Sequence, residues 1–379
     1  MLRAFLGSLL LLPVLALSAS AEDAAFAAGD FVTAEHDYEA ALAANPNDPD
    51  ALAGLARIRL YEGRIKEARD LAAKAPGNPV SAKVIATADM RGAAFAPDVW
   101  RTAMPKHGVT IKFTATDPLP MLSVKIGKQE VTFLIDTGAP DLVLDRDFAA
   151  EIGLKSAEAG QGTFAGGQHA AVAKSTLPEI ALGALRVTNV PVTLLPTRGF
   201  ALKPGVRIDG VIGTGFLRHF LATIDYVHGA LVLKPRDESA AFEKSAVHAT
   251  VVPMWLTGDH FLFARAHIGD APEALYNIDT GLAGGGVQAT KATLDAAHIV
   301  PDESHAQMSM GGGGMVKVVP FRADATLGWL TVKDVEGSYT PDGDQFGIFP
   351  FKVAGTLSHG FFRQHALTFD FVAMKLVVQ

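Results

Sequence analysis

The chain has 379 residues, 49% of them hydrophobic, which is ample for two or three packed domains. Its net charge of −7, with no Lys/Arg block, argues against nucleic acid as a partner. It has no cysteine, which excludes disulfides and thiolate metal sites, and its twelve histidines lack the i, i+4 pairing of a helical metal site, so no metal or other cofactor is expected. Residues 1–21 read as a secretory signal: Arg3 gives the positive start, Phe5 to Leu17 an apolar run of 13 residues, and Ala19-Ser20-Ala21 a small-residue cleavage site. That run is short for a bilayer span, which weighs against an uncleaved anchor, and no later segment reads as a membrane span. A cysteine-free exported chain fits a bacterial periplasm or the exterior.

Residues 22–90 read as helical and repetitive. Gly29 and Gly63 are 34 residues apart, Ala34-x-x-x-Tyr38 aligns with Ala68-x-x-x-Ala72, and Pro46 and Pro79 fall near equivalent places. Small residues at that spacing let paired helices approach closely. The pattern resembles the tetratricopeptide repeat. One and a half to two units are expected, fewer than the three or so that make a stable solenoid, so the block is expected to lean on the main domain or on a partner. It offers either a protein-docking surface or an accessory cap on the fold.

Residues 91–108, with Gly92, Pro97, Pro105 and Gly108, read as a linker. Strands are expected at Val109–Phe113, Met121–Ile126, Val131–Ile135, Leu142–Leu144, Val187–Leu195, Thr223–Tyr226 and Leu231–Leu233, where apolar residues run or alternate between turn residues. A short helix is expected at Phe148–Ile152. The scheme repeats from Val251, and the charged stretch Lys234–Lys244 separates the copies. This divides the chain into a first lobe at 109–236, a hinge at 237–248 and a second lobe at 249–379.

The copies share one tripeptide. Phe133-Leu134-Ile135-Asp136-Thr137-Gly138 is an apolar run that stops at an acid, a hydroxyl and a glycine, and Tyr276-Asn277-Ile278-Asp279-Thr280-Gly281 does the same 143 residues later. One Asp-Thr-Gly is ordinary turn chemistry. Here the surroundings are duplicated as well. Phe164-Ala165-Gly166-Gly167 corresponds to Ser309-Met310-Gly311-Gly312 at an offset of 145, and Leu182-Gly183-Ala184-Leu185 to Leu327-Gly328-Trp329-Leu330 at the same offset. Gly215-Phe216-Leu217-Arg218 and Thr223-Ile224-Asp225-Tyr226 recur likewise as Gly360-Phe361-Phe362-Arg363 and Thr368-Phe369-Asp370-Phe371. A constant offset of this kind marks an internal repeat.

The pattern over residues 109–379 resembles the retropepsin and pepsin superfamily of aspartic peptidases. The resemblance implies a mainly β, bilobed fold, here preceded by a small α-helical repeat segment, in which each lobe gives one Asp-Thr-Gly loop and the two aspartates meet at the lobe interface. It implies an aspartic endopeptidase, a hydrolase acting on extended peptide segments of a protein substrate, with Asp136 and Asp279 catalytic. Two carboxyls a few ångströms apart cannot both ionise cheaply, so they share a proton. The charged one takes a proton from water and the protonated one donates to the substrate carbonyl, with no metal and no covalent intermediate. Gly138 and Gly281 let the backbone fold tightly enough to aim each acid. The resemblance implies that Thr137 and Thr280 bond across the interface and lock the loops together. Both acids lie in one chain, so the site should be complete in a monomer.

The glycine-rich stretches Gly162–Gly167, with Gly166 and Gly167, and Gly311–Gly314, with Gly311 and Gly312, correspond to flaps that close over substrate in the family. Two flaps would be retropepsin-like. Val211-Ile212-Gly213 matches the family's apolar-apolar-glycine motif behind the active loop, whereas Thr356-Leu357-Ser358 departs from it. Ala139 fits the position after Asp-Thr-Gly, and Leu282 does not. These departures motivate the alternative readings, a non-catalytic peptide-binding module or a periplasmic scaffold on the same fold.

Overall fold

The computed structural model describes residues 21–95, 100–164, 168–200, 205–283, 285–311, 314–341 and 346–379; the stretch read as a secretory signal lies outside them except for Ala21. Five helices come first: α1 (Ala21–Ala27), α2 (Phe31–Ala44), α3 (Pro49–Tyr61), α4 (Ile65–Ala72) and α5 (Pro79–Ala93). The starts of α2, α3 and α5 are fixed by capping side chains. Asp30 accepts from the Thr33 amide, Asp48 from those of Asp50 and Ala51, and Asn78 from that of Val80, while Pro49 and Pro79 open α3 and α5 where a missing N–H is harmless. Tyr38 of α2 lies flat against α3, where a Cβ on Gly54 would stand 2.2 Å from its ring.

This segment leans on the second lobe. Phe26, Phe31 and Tyr61 pack with Trp255, Phe263, Leu275, Phe351 and Val353 in one buried cluster. Phe31 and Phe351 meet edge-to-face at 4.9 Å between ring centroids, a favoured aromatic geometry. Arg91, at the last turn of α5, donates to the carbonyls of Leu60, Leu256 and Gly258. These bonds explain why the linker expected at 91–108 is partly regular: Arg91 holds the helix together through Ala93, and Arg101–Ala103 forms a strand against Leu185–Leu195. Among the described residues no helix is long and apolar enough to cross a membrane.

The rest is mainly β and bilobed. In lobe one, Met121–Ile126, Gln129–Ile135, Gly210–Ile212, Leu142–Asp145, Leu185–Leu195, Gln168–Leu182 and Ala157–Phe164 are neighbours in that order, and Met121–Ile126 also meets Gln168–Leu182. Lobe two repeats the order with Phe261–Ile268, Ala274–Ile278, Gly355–Leu357, Val287–Ala289, Leu330–Tyr339, Gly314–Leu327 and Gln307–Gly311, and Phe261–Ile268 also meets Gly314–Leu327. Buried and exposed positions alternate along Met121–Ile126, as expected where one face of a strand meets the core. Between the lobes runs a shared sheet of six strands: Thr250–Pro253, Lys375–Val378 and Ala366–Asp370 from lobe two, then Leu221–Asp225, Ala230–Lys234 and Val109–Ala115 from lobe one.

The pseudo-twofold axis passes through the middle of that sheet. Leu221–Asp225 and Ala366–Asp370 pair antiparallel with Thr223 opposite Thr368, residues equivalent at the 145 offset, and their hydroxyls share a 2.7 Å hydrogen bond. Short helices punctuate both lobes: α6 (Arg146–Glu151), α7 (Thr214–Leu217), α8 (Ser239–Ser245), α9 (Lys291–Ala296) and α10 (His359–Phe362). The charged stretch expected as a hinge carries α8, preceded by a 3-10 turn at Arg236–Glu238.

Candidate active site

Each Asp-Thr-Gly follows an apolar strand that runs parallel to a second short strand. Ile135 of Gln129–Ile135 stands opposite Ile212 of Gly210–Ile212, and Ile278 opposite Leu357, all four fully buried. The ladder continues one step past each strand: the Asp136 amide donates to Ile212 O and the Asp279 amide to Leu357 O, both at 3.1 Å. Each acid is thereby fixed at its backbone by an apolar floor.

The two loops interlock. The Thr137 amide donates to Thr280 Oγ1 at 3.1 Å, and the Thr280 amide to Thr137 Oγ1 at 3.0 Å. Thr137 Oγ1 in turn donates to Ile278 O at 2.9 Å. Both threonines are buried, so these bonds are shielded from competing water. Gly138 N–H donates to Asp136 Oδ1 and Gly281 N–H to Asp279 Oδ1, each at 2.8 Å. A Cβ on Gly138 would stand 2.4 Å from Asp279 Oδ2, and one on Gly281 would stand 2.3 Å from Asp136 Oδ1. No side chain fits at either position, since each glycine is the wall against which the opposite carboxyl rests.

The structure thus brings together Asp136, Thr137, Gly138, Asp279, Thr280 and Gly281. Burial raises the proton affinity of Asp136 well above the usual carboxylate range; the charge of Asp279 and a hydrogen bond shared with it act in the same direction, and the N–H groups of Gly138 and Ala139 oppose them. Asp136 therefore holds a proton that an isolated aspartate would lose. Such a pair has a donor and an acceptor facing one small space, the equipment for activating water against a carbonyl.

The four glycines singled out in the hairpins are not placed in this way. Gly311 ends the strand Gln307–Gly311 opposite Gly314, while Gly166, Gly167 and Gly312 lie outside the described residues.

Among the supporting residues, Gly213, Leu282 and Ser358 were picked out from sequence, and Thr214, His359 and Tyr226 were not. Thr214 Oγ1 donates to Thr137 O at 2.8 Å and props active loop one from behind. At Gly213 a Cβ would stand 2.3 Å from Asp141 O, so lobe one requires glycine there. In lobe two Ser358 fits, and its hydroxyl accepts from the Leu282 amide at 3.2 Å, so the two departures from the repeat are bonded to each other. His359 takes the place of Thr214. It is fully buried, with Nε2 3.5 Å from Asp117 Oδ1, and burial and Arg363 hold it neutral. Tyr226, whose ring centroid lies 5.3 Å from that of His359, has a buried phenol whose proton affinity is raised by burial and by the charge of Asp136. The 145 offset makes Thr214 and His359 equivalent positions, but His359 does not repeat the Thr214 bond: its Nδ1 is buried without a hydrogen-bond partner.

Comparison with known proteins bears on the family. Residues 122–216 match the family model of aspartyl protease, and residues 25–80 that of the tetratricopeptide repeat. No curated protein matches the chain. Among solved structures, a retropepsin-like aspartic protease from Rickettsia conorii matches 36% of this chain and 95% of its own at 21% identity, with a TM-score of 0.27. Basic 7S globulin from soybean matches 72% of this chain and 94% of its own at 12% identity, with a TM-score of 0.40. The chain thus joins an aspartyl-protease sequence segment to a tetratricopeptide one.

Proposed function

We propose that the chain is an aspartic endopeptidase that hydrolyses peptide bonds in extended segments, with Asp136 and Asp279 as its catalytic pair. The observation that carries this reading is the reciprocal contact of each glycine with the opposite carboxyl, which leaves the two acids sharing one proton. With one negative charge on the pair, the ionised carboxyl takes a proton from water as the oxygen attacks the peptide carbon. The protonated carboxyl donates to the carbonyl oxygen. Collapse of the tetrahedral intermediate breaks the C–N bond, the departing nitrogen takes up a proton, and the pair returns to its starting charge.

The same reading makes the protein an exported enzyme, complete in one chain, with the helical segment as a cap on lobe two. The signal-like start, the two acids in one chain and the shared aromatic cluster support these points in turn. Leu282 and Ser358 favour a second reading, a peptide binder that cleaves nothing. Incubation with a pool of unstructured peptides in ¹⁸O water, followed by mass spectrometry, separates the two. An endopeptidase produces internal cuts with one ¹⁸O in each new carboxyl terminus, whereas a binder enriches intact peptides.

A further inference from the structure

Arg218, which closes α7 directly behind active loop one, is 8% exposed. Among the described residues its guanidinium has no ion pair and no hydrogen bond, and its Nε is fully enclosed. Arginine stays charged in proteins, so a buried guanidinium without an anion is unfavourable. Two further arginines converge on it. Arg236 donates through Nη1 to the Arg218 carbonyl and through Nη2 to Phe371 O at 3.5 Å. Arg91 donates only to carbonyls. Arg218 and Arg236 both stand on the ring of Phe95, at 5.3 and 4.9 Å from its centroid.

The acids in range are engaged elsewhere. Asp141 pairs with Lys174 at 3.0 Å, Asp259 with His260, and Asp370 accepts from Ser239 Oγ and from the amides of Val372 and Ala373. The fourth basic group, His219, is half-buried and held neutral, its ring stacked on Trp100 at 3.8 Å. Burial and the charge of Arg218 weaken proton binding at both Arg91 and Arg236, so Arg218 repels each of the other two cations.

We propose that Arg218 and Arg236, with Arg91 behind them, bind a small oxyanion of the phosphate or carboxylate class where the helical segment, lobe one and the inter-lobe turn meet. The planar guanidinium suits the paired oxygens of such an anion. The site does not depend on the peptidase reading, and its test needs no proteolysis.

Trp100 is a built-in reporter, because its indole stacks on His219 next to Arg218. The full chain is titrated with inorganic phosphate, and separately with acetate, at constant ionic strength held by chloride, while indole emission and thermal midpoint are followed. A saturable emission change with a rising midpoint is expected for at least one anion, and comparing the two arms assigns phosphate or carboxylate. Arg218→Gln should weaken that response by at least about tenfold, and Arg236→Gln by less. Without anion, Arg218→Gln should melt no lower than the wild type, because it removes an unpaired buried charge. No saturable change with either anion, or equal affinity in both variants, overturns the proposal.

Discussion

Asp136 and Asp279 sit in matching turns, yet the residues behind them differ, and those differences make the predictions at this scale. Neither Ala139 nor Leu282 offers a hydroxyl to the pair, so apart from the Ala139 N–H no donor at these positions stabilises the charged form. Burial and mutual repulsion act in the opposite direction and raise the proton affinity of Asp136. Raising the pair's apparent pKa values moves the whole activity bell upward, so the pH–rate profile on a peptide should peak in mildly acidic to near-neutral solution. Ala139→Ser should move it toward acid; a strongly acidic optimum, or no acid shift in the serine variant, contradicts this. The same direction predicts a stability effect. A carboxyl whose folded pKa is raised contributes stability that is complete below its unfolded value and is lost as pH rises through the folded value. Each tenfold gain in proton affinity on folding is worth about 1.4 kcal/mol of that stability. Asp136→Asn should therefore melt higher than the wild type at neutral pH, and the gap should close on acidification. Ser358→Ala strands the Leu282 amide and should destabilise by about 1–3 kcal/mol in denaturant unfolding.

Among the elements, the helical segment is the one for which the sequence leaves two roles open, a docking surface or a cap. Its 34-residue spacing was visible in sequence, but the partner for its apolar face was not, because Trp255, Phe263 and Phe351 are scattered over strands and a loop far along the chain. Phe351 meets Phe26, Phe31, Tyr61 and Phe263, so Phe351→Ala should lower unfolding free energy by about 3–5 kcal/mol, in the range for core Phe truncations. A loss no larger than that of a surface change would mean that the segment is loosely held. Strands were legible where periodicity was strong, as at Met121–Ile126. The long strand Gln168–Leu182 was not, because Pro178 and a run of alanines blur its alternation. The stretch 91–108 misled because its glycines and prolines signal turns, whereas two of the three carbonyls that hold Arg91 of α5, those of Leu256 and Gly258, come from residues more than 160 positions away.

For the whole molecule, the 145-residue offset carries the argument. It places Thr223 opposite Thr368 on the pseudo-twofold axis and sets two short apolar ladders under two acids. Because one chain supplies both halves, specific activity should stay constant on dilution through the range where sedimentation would reveal a dimer dissociating. Activity that falls in step with dissociation would show that a second copy is needed. The most direct test of the central claim is cleavage of one defined peptide by the wild type, Asp136→Asn and Asp279→Asn, each shown to be folded by its thermal transition. Two equivalent carboxyls sharing a proton predict that either substitution alone lowers kcat at least about a hundredfold, with both variants nearly equal. Undiminished cleavage by either folded variant would contradict the account.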